Sequence, residues 1–571
     1  MSSLTKRWNI REQIPIAIEQ ALGDFHPILK QLLYNRGIYT YEEAYRFLQA
    51  EAPANTDPLS MHGVPAAVER ILYAIEHKEP IAIYGDYDVD GVTATALLVQ
   101  FLSNLGAEIQ GYIPHRFDEG YGLNLEALTT LKEKGVKLVV TVDCGIRSPV
   151  EAEFASKIGL DLIISDHHHP GPDLPQALSV INPKQALDSY PDKDLAGVGL
   201  AYKLAAGLVE TLQKQRDSIP EHFHPQTFID LVALGTVADL APLLGENRSL
   251  VRQGLIAMRN PRRQGLQSLI GVAGLTARKL NTWDIGFLLG PRLNAAGRLE
   301  SAMTALKLLL SQDVQESGEL AQKLDDQNRR RQEQTLLMQV RAEEILKPEV
   351  EQALLLFASD PSFNAGLVGL VASRLTEQYY RPAVVVQTGE EYARGSCRSI
   401  PEFHITAALD QCADLMEHHG GHAAAAGFTV KNEYLPELEE RLKHIAASQL
   451  SALDLQPHLD IDIELPLHEL KPDILGYLDW LQPTGQGNPQ ALFVSRGLKV
   501  PRFRGVGKEN AHLKMTVTDG EIYYDAIAFR QGAWLDHMPD TIDLVYTFEV
   551  NEFNGRETLQ LNVRDLKPSE R

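Results

Sequence analysis

Apolar runs in the first half of this chain end, one after another, in aspartate. Residues 80–84, 138–142 and 162–165 are short, nearly continuous apolar stretches, the pattern of strands buried on both faces of a parallel sheet. Acidic residues follow each of them. Asp86, Asp88 and Asp90 lie within Gly85-Asp86-Tyr87-Asp88-Val89-Asp90-Gly91, Asp143 follows the second run, and Asp166-His167-His168 follows the third. A longer apolar run, 231–238, ends at Asp239, and a weaker acidic position, Asp194, precedes 195–199. Between the runs the spacing turns helical. One helix is predicted to open at Val92, directly after Gly91, and another to cover 199–214. Strand and helix alternating through 61–245 predict a parallel sheet with crossover helices.

The remaining segments read differently. Residues 1–60 form a small helical cap broken at Pro53 and Pro58. Residues 246–348 are a helical linker; its 319–346 stretch lacks Gly and Pro and is rich in Glu, Gln, Lys, Arg and Leu, which predicts one long helix stopped by Pro348. Residues 349–450 restart an α/β pattern, with strands at 353–358 and 383–386 and a helix at 367–376. Residues 451–571 carry alternating strands such as 459–463, 513–517 and 559–563, the pattern of a small β-barrel. The expected fold class is multidomain α/β: a parallel-sheet domain, a long connecting helix, a second α/β domain and a C-terminal barrel.

Composition narrows the picture. A length of 571 residues suggests about four domains. Three cysteines, Cys144, Cys397 and Cys412, are too few for a disulfide framework and suit a reducing, cytoplasmic location. No apolar run reaches the roughly 18 residues of a membrane span, and the first residues lack a signal-peptide core, so no membrane association is expected. A net charge of −22 argues against nucleic-acid binding over the whole surface. Local basic runs at Arg262-Arg263 and Arg329-Arg330-Arg331 are candidates to line a cleft, although the second also reads as the solvated face of a charged helix.

The chemistry follows from where the acids stand. Loops at the carboxyl ends of parallel strands converge on one crevice. Carboxylates gathered there repel one another unless a cation holds them. Aspartate with imidazole suits Mn²⁺ or Mg²⁺, and the set predicts a two-metal hydrolase site. Asp88 and Asp90 approach the metal pair from adjacent positions, Asp143 is the candidate bridge, His167 supplies a nitrogen, and Asp239 closes the shell. His168 remains for the scissile phosphate or the leaving group. Each cluster alone reads better as a turn or a surface loop; four at element ends in one alternating segment do not.

In order, these clusters resemble the four motifs of the DHH phosphoesterase superfamily. The resemblance implies metal ligation by Asp88, Asp90, Asp143, His167 and Asp239 with Asp86 nearby, and catalytic parts for His168, Asp166 and Asp143. Some relatives carry histidine where Tyr84 stands, which leaves the first metal to Asp86 or water. Within the superfamily the chain is similar to the RecJ single-strand-specific 5′→3′ exonucleases over nearly its whole length. The motifs carrying this are Gly120-Tyr121-Gly122-Leu123, Gly235-Thr236-Val237-Ala238-Asp239, Pro291-Arg292-Leu293-Asn294-Ala295-Ala296-Gly297-Arg298, the 366–374 run, and Gly420-Gly421-His422 followed by 423–427. The second α/β domain is then DHH-associated, and the barrel is of oligonucleotide-binding type.

Substrate-holding residues follow from the same resemblance. Ser396 and Arg398 make an anion clamp, Arg116 is a second cation, and His422 donates beside paired glycines; these are expected to hold a 5′-terminal phosphate or the neighbouring backbone. Asn294 and Arg298 are candidates for the scissile phosphate, with a helix salt bridge an equal reading for Arg298. Pro483-Thr484-Gly485-Gln486-Gly487-Asn488-Pro489 resembles the entry to the barrel domain. There, Phe503, Tyr523, Tyr524, Phe529 and Phe553 alternate with Arg502, Arg504, Lys508 and Arg530, and a minority of the five rings is expected to stack on bases. The expected activity is Mn²⁺- or Mg²⁺-dependent hydrolysis of single-stranded DNA from the 5′ end to mononucleotides in DNA repair and recombination. The expected partners are a helicase and a single-strand-binding protein, and the expected state is a monomer. The rivals are a phosphodiesterase for short oligoribonucleotides or cyclic dinucleotides, and a non-catalytic replication scaffold.

Overall fold

A computed structural model of the chain describes residues 6–115, 119–120, 122–214, 220, 223–553 and 555–570. They divide into two compact units. The parallel-sheet unit comprises Glu42–Arg329 and a short strap, Trp480–Gln490; the barrel unit comprises Met1–Tyr41, Arg330–Asp479 and Ala491–Arg571. One helix, Val314–Leu346, carries the chain from the first to the second. Among the described residues no helix is long and apolar enough to cross a membrane.

Strand β1 (Arg7–Ile10) belongs to the barrel unit. The parallel-sheet unit holds β2 (Ile81–Gly85), β3 (Ile109–Tyr112), β4 (Leu138–Val142), β5 (Asp161–Ser165) and β6 (Ser179–Ile181). Their order is β3-β2-β4-β5-β6, and every pairing is parallel. Every residue of β2 and β4 is buried because helices cover both faces of the sheet. Alternate side chains enter separate cores. Ile81, Ile83, Leu138 and Val140 pack with helices Val89–Asn104 and Gly197–Gln213, while Ala82, Tyr84 and Val139 pack with Leu125–Glu133 and Pro149–Lys157. The chain leaves β2 toward β3 on one side and returns as β4 on the other. This reversal opens a crevice at the carboxyl ends of β2 and β4, where Asp86 and Asp143 stand.

Arg248 makes four of the hydrogen bonds that hold the strap. Arg248, on helix Gly245–Met258, is 2% exposed and stacks 3.9 Å over the Phe47 ring. Its guanidinium donates to the carbonyls of Leu481 and Pro483 at 3.0 Å, Gln482 at 2.9 Å, Trp480 at 3.3 Å and Phe47 at 3.0 Å. Asn488 Nδ2 donates back to Leu481 and Pro483. A buried guanidinium persists only with its donors satisfied, and here strap carbonyls meet that requirement.

In the barrel unit, β7 (Leu356–Asp360), β8 (Ala383–Thr388), β9 (Tyr392–Arg398), β10 (Met416–His422) and β11 (Ala425–Lys431) form a sheet ordered β10-β11-β9-β8-β7, parallel only between β7 and β8. Strand β12 (His458–Ile461) pairs in parallel with β1, and β13 (Ile463–Glu464) adds to β14 (Phe493–Val506). Strands β14, β15 (His512–Thr518), β16 (Tyr523–Ala528), β18 (Arg556–Pro568) and β17 (Thr541–Phe553) follow one another in space, and β17 pairs back to β14. That closes a five-stranded barrel and removes its edges. The expected α/β-plus-barrel class is what the chain adopts. The pattern of residues 1–60 predicted helices, and these occur, but β1 has a partner some 450 residues away and gives no local signal.

Replacing Arg248 with Met is expected to cost roughly 3 kcal/mol, because the strap carbonyls lose charged donors inside the protein. Denaturant unfolding measures this, and faster proteolysis within 480–490 is the local readout.

Candidate metal centre

The helix after β2 begins earlier than the sequence predicted, at Val89 rather than Val92, because Asp88 caps it. Asp88 Oδ1 accepts from the amides of Asp90 at 2.8 Å and Gly91 at 3.2 Å. Gly91 has no room for a side chain, since a Cβ would stand 2.6 Å from the Asp86 backbone. Asp90 does the same service for a second helix: its two oxygens accept from Gly197 N at 2.6 Å and Val198 N at 2.7 Å, at the start of Gly197–Gln213. A Cβ on Gly197 would meet Asp143 Cβ at 2.7 Å, so glycine there lets helix and carboxylates meet. Two helix N-termini thus point at the acidic crevice and offset part of its charge.

Asp143 follows β4 in the left-handed region, φ 61°, which aspartate tolerates better than most residues. His167 and His168 follow β5. Lys184 Nζ donates to the His167 carbonyl at 2.7 Å and Asn182 Nδ2 to the His168 carbonyl at 2.8 Å, fixing the loop. Asp239 ends helix Ile229–Ala238. His167 Nε2 lies 3.1 Å from Asp143 Oδ1 and 3.8 Å from both Asp90 Oδ2 and Asp239 Oδ2.

Ligand atoms lie within 4.8 Å of one another in three sets: Asp86, Asp88 and Asp143; Asp90, His167 and Asp239; and Asp143, His167 and His168. Asp143 stands in two of them. Asp143 Oδ1 and His167 Nε2 are buried and make no hydrogen bond among the described residues. Burial and the neighbouring His168 push the His167 imidazole down to about 3, so it is neutral, with one ring nitrogen carrying a lone pair. Burial, with Asp88 next, raises Asp90 to about 7; burial, with Asp90 and Asp88 next, raises Asp239 to about 9. Asp143 is also raised, by burial first and then by Asp90, Asp88, Asp86 and Asp239. A neutral nitrogen and four or more carboxylates aimed at one volume are a donor set for divalent cations, and oxygen predominance suits Mn²⁺ or Mg²⁺.

Asp166 stands behind this set. Burial opposes its ionisation, but the His168 hydrogen bond and the Ile146 amide outweigh it and hold its carboxyl low. His168 Nδ1 lies 2.7 Å from Asp166 Oδ1, and this contact outweighs burial to raise the imidazole. Asp166 therefore orients His168. Tyr84 is fully buried; its hydroxyl donates to the Gly122 carbonyl at 2.9 Å and accepts from Asn124, within the core on one face of the sheet.

Asn294 and Arg298 share one face of helix Gly290–Leu299, which packs on the first acidic loop: a Cβ on Gly297 would stand 2.8 Å from the Tyr87 carbonyl. Ser396 and Arg398 lie in the barrel unit, with Arg398 Nη1 3.2 Å from Ser396 Oγ. In sheet register, Arg398 is opposite Ala425, which is opposite His422; Ser396, Gly427 and Gly420 align likewise. Ala425 and Gly427 of the middle strand thus separate the serine–arginine pair from His422 in register. Arg116 lies outside the described residues. One arginine of each basic run is paired with an aspartate: Arg263 with Asp230 at 3.2 Å, and Arg329 with Asp325 at 2.7 Å. Sequence reasoning missed Lys184, Asn182, Gly197 and Arg292, which pairs with buried Asp325 at 2.9 Å two residues before Asn294. Only Arg292 carried a signal, its place in the 291–298 motif.

A parallel sheet with aspartates and histidine gathered at its switch point defines a phosphoesterase of the DHH class. Residues 80–236 match the DHH family N-terminal domain, 351–450 the DHHA1 domain and 461–565 the RecJ OB domain. The single-stranded-DNA-specific exonuclease RecJ of Bacillus subtilis is 38% identical over 99% of this chain and 71% of its own length. The Dickeya dadantii protein of that name is 36% identical over 96% of this chain and 98% of its own. The crystal structure of RecJ in complex with Mn²⁺ from Thermus thermophilus superposes with a TM-score of 0.84 at 30% identity, covering 99% of this chain and 80% of that one. The chain belongs to the RecJ family of single-stranded-DNA-specific exonucleases.

In metal-free protein the raised carboxyls favour folding below their ordinary value of 3.8, and that contribution is lost as pH rises through about 7 for Asp90 and about 9 for Asp239. Between pH 7 and 9, where His167 is neutral folded or unfolded, stability in EDTA is expected to fall with pH and Mn²⁺ to abolish the trend. Thermal melts check this. Asp143→Asn is expected to be at least as stable as wild type in EDTA and to lose most of the Mn²⁺-induced stabilisation.

Proposed function

We propose that the chain hydrolyses single-stranded DNA from its 5′ end to mononucleotides, with Mn²⁺ or Mg²⁺ held by Asp86, Asp88, Asp90, Asp143, His167 and Asp239. The observation that carries this is the unsatisfied His167 Nε2 facing Asp90, Asp143 and Asp239 at the crevice. A pair of ions there supplies an activated water and neutralises charge on the scissile phosphate. Asp143 belongs to two ligand sets, which suits a bridge. Asp88 and Asp90 stay oriented through the helix amides they cap, so the ligand set is preorganised. His168, tied by Nδ1 to Asp166, leaves Nε2 to donate to the phosphate or the leaving oxygen. Asn294 and Arg298 approach the same phosphate from their helix. Ser396, Arg398 and His422 offer hydroxyl, guanidinium and imidazole donors for a 5′-terminal phosphate, and Arg116 is a further cation for it.

The barrel offers a path for the strand. Arg502, Phe503, Arg504, Lys514 and Thr516 line a groove of about 290 Å³ on its wall. Phe503, Tyr523 and Phe529 are exposed whereas Tyr524 is buried, so the outward rings are the ones available for stacking; the Phe553 side chain lies outside the described residues. The chain is proposed to act as a monomer in the cytoplasm, in repair and recombination. Its three buried free cysteines suit a reducing compartment. A helicase would supply unpaired ends, and a single-strand-binding protein would share the substrate.

His168→Ala is expected to lower kcat on 5′-labelled single strands by roughly a hundredfold or more while retaining Mn²⁺-induced stabilisation. Wild-type turnover in that variant would remove His168 from the reaction. Phe503→Ala with Arg504→Ala is expected to weaken binding of long strands about tenfold and to flatten the salt dependence of binding. Anisotropy titrations at several salt concentrations measure both.

A further inference from the structure

We infer that Trp283 and Phe287, with the strap, form a stacking slot for one base of the single strand. The inference rests on the substrate reading above and adds a binding element to it. Helix Thr282–Asp284 opens with a capping box in which Asn281 accepts from the Trp283 and Asp284 amides and Asp284 accepts from the Asn281 amide. It continues as a π-helical turn, Ile285–Leu289, before the helix that carries Asn294 and Arg298. Such turns are rare and concentrate at functional positions. Here one turn of helix presents two rings outward. Trp283 is 54% and Phe287 65% exposed, stacked at 5.3 Å with planes 25° apart. Exposed large rings need a reason when they stand together.

The rings form one side of a depression of about 180 Å³. Its other walls are Val237 and Leu240, which flank Asp239, and Gln486 and Gln490 of the strap. Leu240 is 69% exposed and held at φ 61°, a conformation a branched apolar residue rarely takes. The strap is fixed against this place by Arg248, by Thr282 Oγ1 on the Thr484 carbonyl at 2.6 Å, and by the Leu243 amide on the Gln486 carbonyl at 2.7 Å. The 483–489 turn cluster is therefore a wall of the parallel-sheet unit.

Two observations select a nucleobase as the occupant. The first is position. Val237 and Leu240 in the slot wall stand two residues before and one residue after Asp239, so the slot lies beside the helix end that carries a metal ligand. A base of a strand whose phosphate lies at that ligand is within reach. The second is the wall chemistry. Flat apolar faces lie beside two glutamines, which suits a ring with a π face and polar edges. Rings of this kind bind every base, as a sequence-independent exonuclease requires.

The test uses the full chain in EDTA, so that no cleavage intervenes, with oligo(dT) and a strand of the same length made of abasic sites. Trp283→Leu with Phe287→Leu keeps the apolar volume and removes both rings. Its affinity for oligo(dT) is expected to fall about tenfold or more, while both proteins bind the abasic strand alike. Trp283→Phe is expected to restore most of the loss. Equal binding of oligo(dT) by wild type and the leucine variant would overturn the slot, as it would if a protein segment were the occupant. An equal loss on the abasic strand would overturn it too, by making the rings structural. Mn²⁺-dependent cleavage of oligo(dT) by the wild type tests the substrate reading separately, and a wild type that cleaves beside a variant that binds normally sinks only the slot.

Discussion

Mutual repulsion among carboxylates at the carboxyl edge of one sheet is the constraint around which the rest of this molecule is arranged. Asp86, Asp88, Asp90, Asp143 and Asp239 come from strand-end loops and one helix end, and burial strengthens every interaction among them. Protein alone offsets only part of this. Asp88 caps one helix and Asp90 caps another, so the partial charges of two N-termini are spent on the crevice. The remainder is left for cations. Glycine at 91 and 197 follows from the same crowding, because a Cβ would stand 2.6 Å from the Asp86 backbone at the first and 2.7 Å from Asp143 Cβ at the second.

Much of this was legible in the chain. Continuous apolar runs marked β2, β4 and β5 because a strand covered on both faces has no polar alternation to hide. Aspartates at their ends marked the crevice because parallel strands all point the same way. The absence of Gly and Pro marked the long helix, and alternation marked the barrel. What stayed hidden depends on partners remote in sequence. Arg248 looks like any helix arginine in 245–250, yet it is buried against carbonyls more than 230 residues away. Strand β1 is four residues long and is defined by β12. Asp166 reads as a catalytic carboxylate beside His167, and only its bonds to His168 and the Ile146 amide show that it is turned to the His168 imidazole. Arg263 and Arg329 read as a basic surface, but each meets an aspartate in place.

The strap alters how the chain divides. Sequence pattern assigns 480–490 to the entrance of the barrel segment, whereas its contacts belong to the parallel-sheet unit. A cut near residue 456 would therefore remove the barrel and also strip Arg248 of its four strap carbonyls. Loss of activity after such a cut would not isolate the barrel's contribution, and point changes on its wall separate the two effects.

The net charge of −22 is then less of a contradiction than it first looks. Arg248, Arg263 and Arg292 are engaged inside the fold by carbonyls and aspartates, and the exposed Arg329 pairs with buried Asp325. A net charge of −22 disfavours holding DNA by a basic face spread over the whole surface. On the function proposed above, attraction is local, from cations at the crevice, the barrel groove and a few guanidinium and imidazole donors, with ring stacking adding affinity that salt does not screen. Such an arrangement favours flexible single strands, whose bases are free to stack and whose phosphates can bend to separate sites, over a stiff duplex that presents only its backbone.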